Sequence, residues 1–194
     1  MMKMTSLEKL FVNSPSHSQQ VSRHAEALLK LIEVRAGQKY LDLGCGNGAA
    51  PIYLAQKYPL DVTGIDIDPD QIRLAEQQSQ GMSNLRFQTM DGRRLPFPDG
   101  EFDIVSTNKV MHHVPHWPEA VAEMIRVLKP GGYFIYSDLI YPGWLAALGK
   151  TVLGHYAGFP SRAALDSLLA QYPLSQLHRS VSVLNYEVVY QKNR

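Results

Sequence analysis

Cysteine is nearly absent from this sequence, and neither sign of charge is in excess. Cys45 is the single cysteine in 194 residues, and 19 lysines and arginines stand against 18 acidic residues. One thiol cannot form an intramolecular disulfide, and no cluster of cysteine and histidine has the spacing of a zinc site. Acids and bases are interspersed, so no basic stripe is available to hold a phosphate backbone. We therefore predict no metal site and no nucleic-acid partner.

Long hydrophobic runs are also missing. No stretch approaches the roughly 20 apolar residues that are needed to cross a bilayer. The amino-terminal segment, which begins with Met1 to Ser6, lacks the apolar core of a secretory signal. We predict no membrane span and a cytoplasmic location.

The sequence does contain enough apolar residues for one core. Their share is 45% of 194 residues, which suffices for a compact domain without disulfides. Strand and helix patterns alternate between residues 39 and 138, and this alternation is typical of a parallel sheet covered by helices. The predicted strands are 39–43, 61–66, 85–90, 102–107 and 132–138, and the predicted helices are 49–57, 69–79 and 117–128.

Further elements are predicted on both sides of this alternation. A helix from Ser18 to Glu33 precedes it, with an apolar stripe of Val21, Ala25, Leu28 and Ile32. A helix from Ser161 to Gln171 and two antiparallel strands, Gln176 to Val183 and Tyr186 to Gln191, follow it. We predict a single domain over 1–194, with an N-terminal helical arm over 1–36 and a lid-like insertion over about 139–173.

The most distinctive stretch runs from Lys39 to Gly48, where an apolar strand leads directly into three glycines. Glycine accepts positive φ and has no Cβ, so such a loop can lay backbone N–H groups against a ligand. The spacing of Gly44, Gly46 and Ala49 also fits dinucleotide binding. Asp42 favours another ligand, because a carboxylate there repels the phosphates of NAD. It attracts the ammonium and sulfonium groups of S-adenosylmethionine (SAM).

Two more acids follow predicted strands. Asp66 ends the second strand, where a carboxylate can accept both ribose hydroxyls of a nucleoside. This contact is common to NAD and SAM and does not separate them. After the third strand, Asp91 can accept from an adenine amino group and the backbone of Gly92 can donate to a ring nitrogen. Asp68 precedes Pro69 at a helix start and is expected to cap that helix.

Six segments in order resemble the class I SAM-dependent methyltransferases, within them the small-molecule group of type 11 and ubiquinone and menaquinone biosynthesis enzymes. They are Leu41–Gly48 (LDLGCGNG), Gly64–Pro69 (GIDIDP), Met90–Phe97 (MDGRRLPF), Phe102–Val105 (FDIV), Val110–Val114 (VMHHV) and Leu128–Gly132 (LKPGG). The resemblance implies an α/β fold with a Rossmann-like doubly wound, mostly parallel seven-stranded sheet and an antiparallel C-terminal edge strand. It also implies SAM as cofactor and S-adenosylhomocysteine as product.

The resemblance assigns SAM binding to the positions of Gly44, Gly46, Asp66 and Asp91, and places the loop from Asn108 to His113 beside the transferable methyl. The predicted cofactor residues are Asp42, Gly44, Cys45, Gly46, Asp66, Ile67, Met90, Asp91, Gly92 and Asn108. Gly92 stands where the family commonly has alanine. The segment after Asp138 matches no substrate-specific motif.

Methyl transfer from SAM asks mainly for positioning, and a base is needed when the acceptor is a hydroxyl. His112 and His113 are the candidate bases, because the pKa of histidine ordinarily lies near neutrality. The alternative is that one shapes the pocket through its backbone while the other packs. Asp138 either faces the acceptor or caps a following helix, and Lys109 is expected to be solvated. A catalytic role for the Cys45 thiol is rejected.

The insertion carries apolar side chains that either wall a substrate pocket or pack on the core, and that would permit a homodimer. They are Trp144, Leu145, Leu148, Val152, Leu153, Tyr156 and Phe159. The leading hypothesis is transfer of a methyl group from SAM to an oxygen, nitrogen or carbon atom of a small-molecule acceptor. An NAD-dependent oxidoreductase and a SAM-binding protein without catalysis are the alternatives.

Overall fold

A computed structural model of the chain describes residues 12–140, 160–182 and 185–194. The strands are β1 (Lys39–Leu43), β2 (Asp61–Asp66), β3 (Leu85–Thr89), β4 (Phe102–Asn108), β5 (Leu128–Leu139), β6 (Leu174–Val181) and β7 (Asn185–Lys192). The helices are α1 (Pro15–Leu29), α2 (Ala49–Lys57), α3 (Pro69–Gln78), α4 (Trp117–Val127) and α5 (Arg162–Leu169), and a short 3-10 helix covers Met111–His113. The strands and helices predicted within the described residues are all present: β1, α2 and β2 have the predicted bounds, and the ends of the others are shifted.

The seven strands form one sheet in the order β3-β2-β1-β4-β5-β7-β6. The first five are parallel to their neighbours, whereas β7 is antiparallel to both β5 and β6. The predicted α/β class, with a mostly parallel sheet and an antiparallel carboxyl-terminal addition, is confirmed. The antiparallel strand β7 lies one position inside the edge, so the outermost strand at that end is β6.

The strand order reverses at β1. The chain runs outward from β1 through β2 to β3 and then returns to place β4 on the other side of β1. In sheets of this kind, ligands bind in the crevice beyond the carboxyl ends of the strands at the reversal. The loops after β1 and β4 therefore flank the expected binding position.

Hydrophobic cores lie on both faces of the sheet, because neighbouring residues of a buried strand point to opposite sides. Val105 of β4 packs with α4 and α5, through Val121 and Leu165 among others. Ile104, the preceding residue, packs with α1 and α2, through Leu29 and Leu54 among others. Central strands buried on both faces explain the continuous apolar runs of the sequence.

The first helix begins and ends earlier than the sequence pattern predicts. Ser14 caps α1 by accepting from the His17 N–H, and Pro15 occupies the first turn. Leu28 of the predicted stripe is buried, and Ala25 and Ile32 are partly buried against the same core. The helix also buries Ser22 and Glu26, which the apolar pattern did not indicate because both find hydrogen-bond partners on α2.

Glu26 is the polar anchor of this helix. Its carboxylate is 2.8 Å from the ammonium groups of both Lys30 and Lys57. The hydroxyls of Tyr53 and Tyr58 donate to it at 2.6 and 3.2 Å. These hydrogen bonds lower the pKa of Glu26, with Lys30 making the largest contribution. A buried charge that is fully paired can thus fix α1 against α2.

Some sequence predictions concern residues that the structure leaves undescribed. The lid-like insertion over about 139–173 falls largely in 141–159, and the start of the helical arm falls in 1–11. The apolar residues invoked for a homodimer lie in the same undescribed part, from Trp144 to Phe159. Among the helices that are described, none combines the length and the apolar character needed to traverse a bilayer.

Candidate active site

The loop after β1 turns sharply toward α2. Gly44, Gly46 and Gly48 have positive φ angles of 80°, 53° and 81°, which L side chains rarely adopt. Gly44 also lies tightly against Val110, because a Cβ on Gly44 would come within 2.3 Å of the valine Cγ2. The N–H of Gly44 donates to the Ile65 carbonyl at 2.8 Å. The glycine loop is therefore fixed between the end of β2 and the segment after β4.

Asp66, at the end of β2, fastens this loop. Its Oδ2 accepts from the Gly46 N–H at 3.0 Å, and its Oδ1 accepts from the Asp68 N–H at 2.9 Å. Burial raises the pKa of Asp66, although the backbone donors oppose that increase. Asp68 in turn caps α3 by accepting from the Asp70 N–H at 3.0 Å, as the sequence predicts. One carboxylate thus links the glycine loop to the start of α3.

Asp42 lies near the glycine loop as a second buried acid and is only 7% exposed. The Ser106 hydroxyl donates to Asp42 Oδ1 at 2.6 Å, and the Tyr40 hydroxyl donates to Ser106 Oγ at 2.7 Å. Burial raises the pKa of Asp42 to about 6; the Ser106 hydrogen bond opposes this increase and the charge of Asp66 adds to it.

The glycine loop borders a cavity of about 320 Å³, together with the end of β2, the segment after β4 and α1. The cavity brings together six of the predicted cofactor residues and both predicted bases. These are Gly44, Cys45, Gly46, Asp66, Ile67 and Asn108, and His112 and His113. Residues separated by almost 70 positions in sequence therefore share one space.

Four predicted cofactor residues do not border this cavity: Asp42, Met90, Asp91 and Gly92. Asp91 is engaged by Arg93, whose Nη2 and Nε donate to the carboxylate at 2.6 and 3.0 Å. These bonds lower the pKa of Asp91 to about 2. Gly92 packs against Leu43, since a Cβ there would come within 2.7 Å of the leucine Cδ1. An adenine contact by Asp91 stays a prediction and requires the carboxylate to serve Arg93 as well.

The cavity also includes residues that sequence reasoning did not assign to it. They are Val12, Ser18, Val21, Asn47, Ala49, Asp68 and Leu139. Ser18 and Val21 are three positions apart on α1 and so share a helix face, which the sequence pattern could have indicated. Lys109 and Val110 also border the cavity and lie in the loop that the resemblance places beside the methyl, but the left-handed backbone of Lys109, with φ of 55°, was not predicted.

Helix α1 is bonded directly to the glycine loop. The Asn47 Nδ2 donates to Ser18 Oγ at 3.3 Å, and the Ser22 hydroxyl donates to the Ala49 carbonyl at 3.0 Å. His17, near the start of the helix, also borders the cavity. The position of α1 and the shape of the loop are therefore coupled.

A buried carboxylate holds His112 on the opposite side of the cavity. The side chain of Asp138, at the end of β5, is 0% exposed, and its Oδ1 lies 2.6 Å from His112 Nδ1. The other oxygen, Oδ2, accepts from the His112 backbone N–H at 3.1 Å. The neutral imidazole consequently carries its proton on Nδ1 and its lone pair on Nε2. Asp138 orients a histidine, a role that neither sequence interpretation of this acid included.

Two other chemistries find little support here. Burial, followed by the charges of Asp42 and Asp66, raises the pKa of the Cys45 thiol well above its ordinary value. A thiol that stays protonated is a poor nucleophile. Within the described part of the chain, no group of three or more histidine, cysteine or acidic side chains is arranged to hold a metal ion.

Residues 41–136 match the family of the methyltransferase domain. This segment contains β1 to β4 and most of β5, and with them the glycine loop and the loop after β4 that border the cavity. Over this segment the chain belongs to the methyltransferase domain family. A related protein of Mycobacterium leprae, named as a phthiotriol/phenolphthiotriol dimycocerosates methyltransferase, is 37% identical over 105 residues, which are 54% of this chain and 38% of the relative.

Two further likenesses extend this family assignment. A fatty-acid O-methyltransferase of Mycolicibacterium smegmatis is 34% identical over 146 residues, covering 71% of this chain and 53% of that methyltransferase. The chain therefore spans about half the length, or less, of these two curated relatives. The crystal structure of the PH0226 protein from Pyrococcus horikoshii matches with a TM-score of 0.75 at 26% identity, over 94% of this chain and 93% of that one.

Alanine at the loop glycines should lower both stability and ligand binding, by amounts that depend on the space around each glycine. Gly44→Ala forces a Cβ into Val110, so we expect a lower Tm and no binding of S-adenosylhomocysteine. Gly46→Ala meets nothing closer than Gln71 Oε1 at 3.9 Å, so we expect a loss of about 1 kcal/mol in stability, from positive φ alone, with weakened binding. Gly37→Ala is the matched control, because Gly37 has φ 75° and open space around it. Calorimetry and thermal melts check the three variants.

The free energy of unfolding should depend on pH through the protonation of Asp42. Its pKa rises on folding from 3.8 to about 6, so folding takes up a proton in this window. The contribution of Asp42 to the free energy of unfolding should therefore fall as pH rises from about 4 to about 6, by at most about 3 kcal/mol. Urea denaturation of the wild type and Asp42→Asn across this range tests it. A difference between the two that is independent of pH contradicts the assignment.

Proposed function

We propose that this methyltransferase uses SAM to methylate an oxygen atom of a small, partly apolar acceptor. The observation that carries the proposal is that a single cavity joins two functional groups. The glycine loop with Asp66 and Asn108 borders it on one side, and His112 held by Asp138 borders it on the other. The first group suits a cationic nucleoside, and the second suits removal of a proton from an acceptor.

The residues present fit SAM. Asp42 and Asp66 place negative charge at the glycine loop, which favours a ligand that carries an ammonium and a sulfonium. Asn108 borders the cavity, and its buried Oδ1 has no hydrogen-bond partner among the described residues. An ammonium group would supply that missing donor. SAM would bring a methyl group on a sulfonium leaving group, and the chain would hold it through Gly44, Gly46, Asp66 and Asn108.

The same charges count against NAD. Its two phosphates would approach the glycine loop close to the carboxylates of Asp42 and Asp66, and like charges repel. In a dinucleotide site, by contrast, the pyrophosphate is held at a helix N-terminus and the acid lies at the ribose. Here Asp42 adds a second acid before the first glycine. This argument supports SAM over the oxidoreductase alternative.

His112 is proposed as the general base. With its proton on Nδ1 and directed at Asp138, the ring presents Nε2 as the acceptor atom. A hydroxyl of the acceptor would give its proton to Nε2, and its oxygen would take the methyl group that bound SAM would supply with its sulfonium as the leaving group. The resulting imidazolium is stabilised by the adjacent Asp138 carboxylate. His113, whose ring lies 3.9 Å from that of His112, packs against the base.

The cavity also supports an acceptor with an apolar part. Val12, Val21, Val110 and Leu139 contribute aliphatic surface to it. The two curated relatives are named for lipid substrates, and one of them for transfer to oxygen. Aliphatic walls beside a base fit an apolar molecule that bears a hydroxyl or an acid.

Removing the base should slow catalysis without loosening the cofactor. We expect His112→Ala to lower kcat by about a hundredfold or more, and Asp138→Asn to lower it strongly as well, since an amide cannot accept from both His112 N–H groups and no longer holds the proton on Nδ1. Binding of S-adenosylhomocysteine should stay within about threefold of the wild type in both. Transfer of a labelled methyl to a panel of hydroxylated fatty acids and phenols provides the measurement.

The matched control is His116→Ala, because the His116 side chain is 62% exposed and close in sequence to the site. Unchanged turnover in His112→Ala would show that no base is used at this position. Tight binding of S-adenosylhomocysteine by the wild type, with no methylated product from any acceptor, would instead favour a SAM-binding protein without catalysis.

A further inference from the structure

Lys109 is the charged residue of the cavity that the proposed reaction does not use. It borders the cavity directly after Asn108, at the end of β4. Its backbone N–H donates to the Ser137 carbonyl at 2.7 Å, and its φ of 55° lies in the left-handed region. This backbone conformation costs a lysine about 1 kcal/mol of conformational free energy. A strained backbone that is kept beside a ligand cavity suggests that the side chain at this position has a function.

The charges around the cavity are unevenly divided. Two acids border the cavity at the end of β2. Asp66 accepts a hydrogen bond from the glycine loop, and Asp68 caps α3. Across the cavity, Asp138 is committed to His112. Lys109 forms no ion pair with any acidic residue that the structure describes. Lys109 is exposed, so its positive charge borders the space that an acceptor would enter and has no acidic partner among the described residues.

The charge of Lys109 also reaches two histidines of α1. Burial lowers the pKa of His17, and Lys109 lowers it further. For His24 burial again has the largest effect, Glu187 opposes it, and Lys109 contributes in the same direction as burial. Both rings therefore respond to the electrostatic potential near Lys109 and can report its neutralisation.

We propose that Lys109 binds a carboxylate of the acceptor, so that the acceptor is an amphiphilic acid. This inference rests on the proposed function and specifies its substrate class. Val12, Val21 and Leu139 line the same cavity as Lys109. An ammonium beside aliphatic surface matches a molecule that has an ionised acid and an apolar body.

SAM itself carries a carboxylate, which is a second source of the same chemistry. The two sources predict different losses when the charge is removed. Lys109→Asn is the suitable variant, because asparagine tolerates positive φ better than other residues and the backbone can keep its turn. If Lys109 serves the acceptor, the variant binds acids poorly and the cofactor product normally. If it serves the cofactor, the reverse holds.

The test is calorimetry with octanoate and octanamide on protein saturated with S-adenosylhomocysteine. We expect octanoate to bind the wild type at least about tenfold more tightly than octanamide, and Lys109→Asn to remove that preference. Lys129→Gln is the control, since Lys129 pairs with Asp103 near the start of β5, at the other end of the sheet. It should behave as the wild type.

A second readout uses the histidines. In wild-type protein, octanoate should raise the pKa of His17 and His24, measured by NMR, toward the values in Lys109→Asn, and it should have no such effect in the variant. Equal octanoate binding by wild type and variant, or none by the wild type, overturns the proposal. So does weakened binding of S-adenosylhomocysteine, with 5'-methylthioadenosine unaffected, in Lys109→Asn. Failure of S-adenosylhomocysteine to bind the wild type would refute the proposed function instead.

Discussion

The site depends on one buried carboxylate that accepts two backbone hydrogen bonds. Asp66 holds the Gly46 N–H at 3.0 Å and the Asp68 N–H at 2.9 Å, so the glycine loop and the start of α3 share one anchor. Asp66 also borders the cavity, and a carboxylate that accepts two hydrogen bonds has acceptor capacity left for a ligand. A group that shapes the loop is thus also available to a ligand, and the buried charge of Asp42 strengthens the preference for a cation.

The rest of the cavity is assembled around this anchor by the reversal in strand order. β4 returns to the other side of β1, so Asn108, Lys109 and His112 come opposite the loop. Helix α1 completes the cavity through Ser18, while the pairing of Glu26 with α2 fixes the helix in place. The cavity therefore has an acidic side at the end of β2 and a basic side after β4.

The sequence predicted the parallel core and the glycine loop well, because apolar strands buried on both faces and glycines with positive φ leave local signals. The burial of Glu26 on α1 was not predicted, since it depends on partners on α2 that no local pattern reveals. The pairing of His112 with Asp138 and the engagement of Asp91 by Arg93 were also missed. Both depend on side-chain geometry, and the first joins residues that are 26 positions apart.

Calorimetric titration of the wild-type protein with S-adenosylhomocysteine and, separately, with NADH tests the central claim most directly. Two buried carboxylates at the glycine loop should admit the nucleoside that lacks phosphates and repel the one that has them. The account predicts saturable binding of S-adenosylhomocysteine at one site per chain, with no binding of NADH. Binding of NADH without binding of S-adenosylhomocysteine would contradict it.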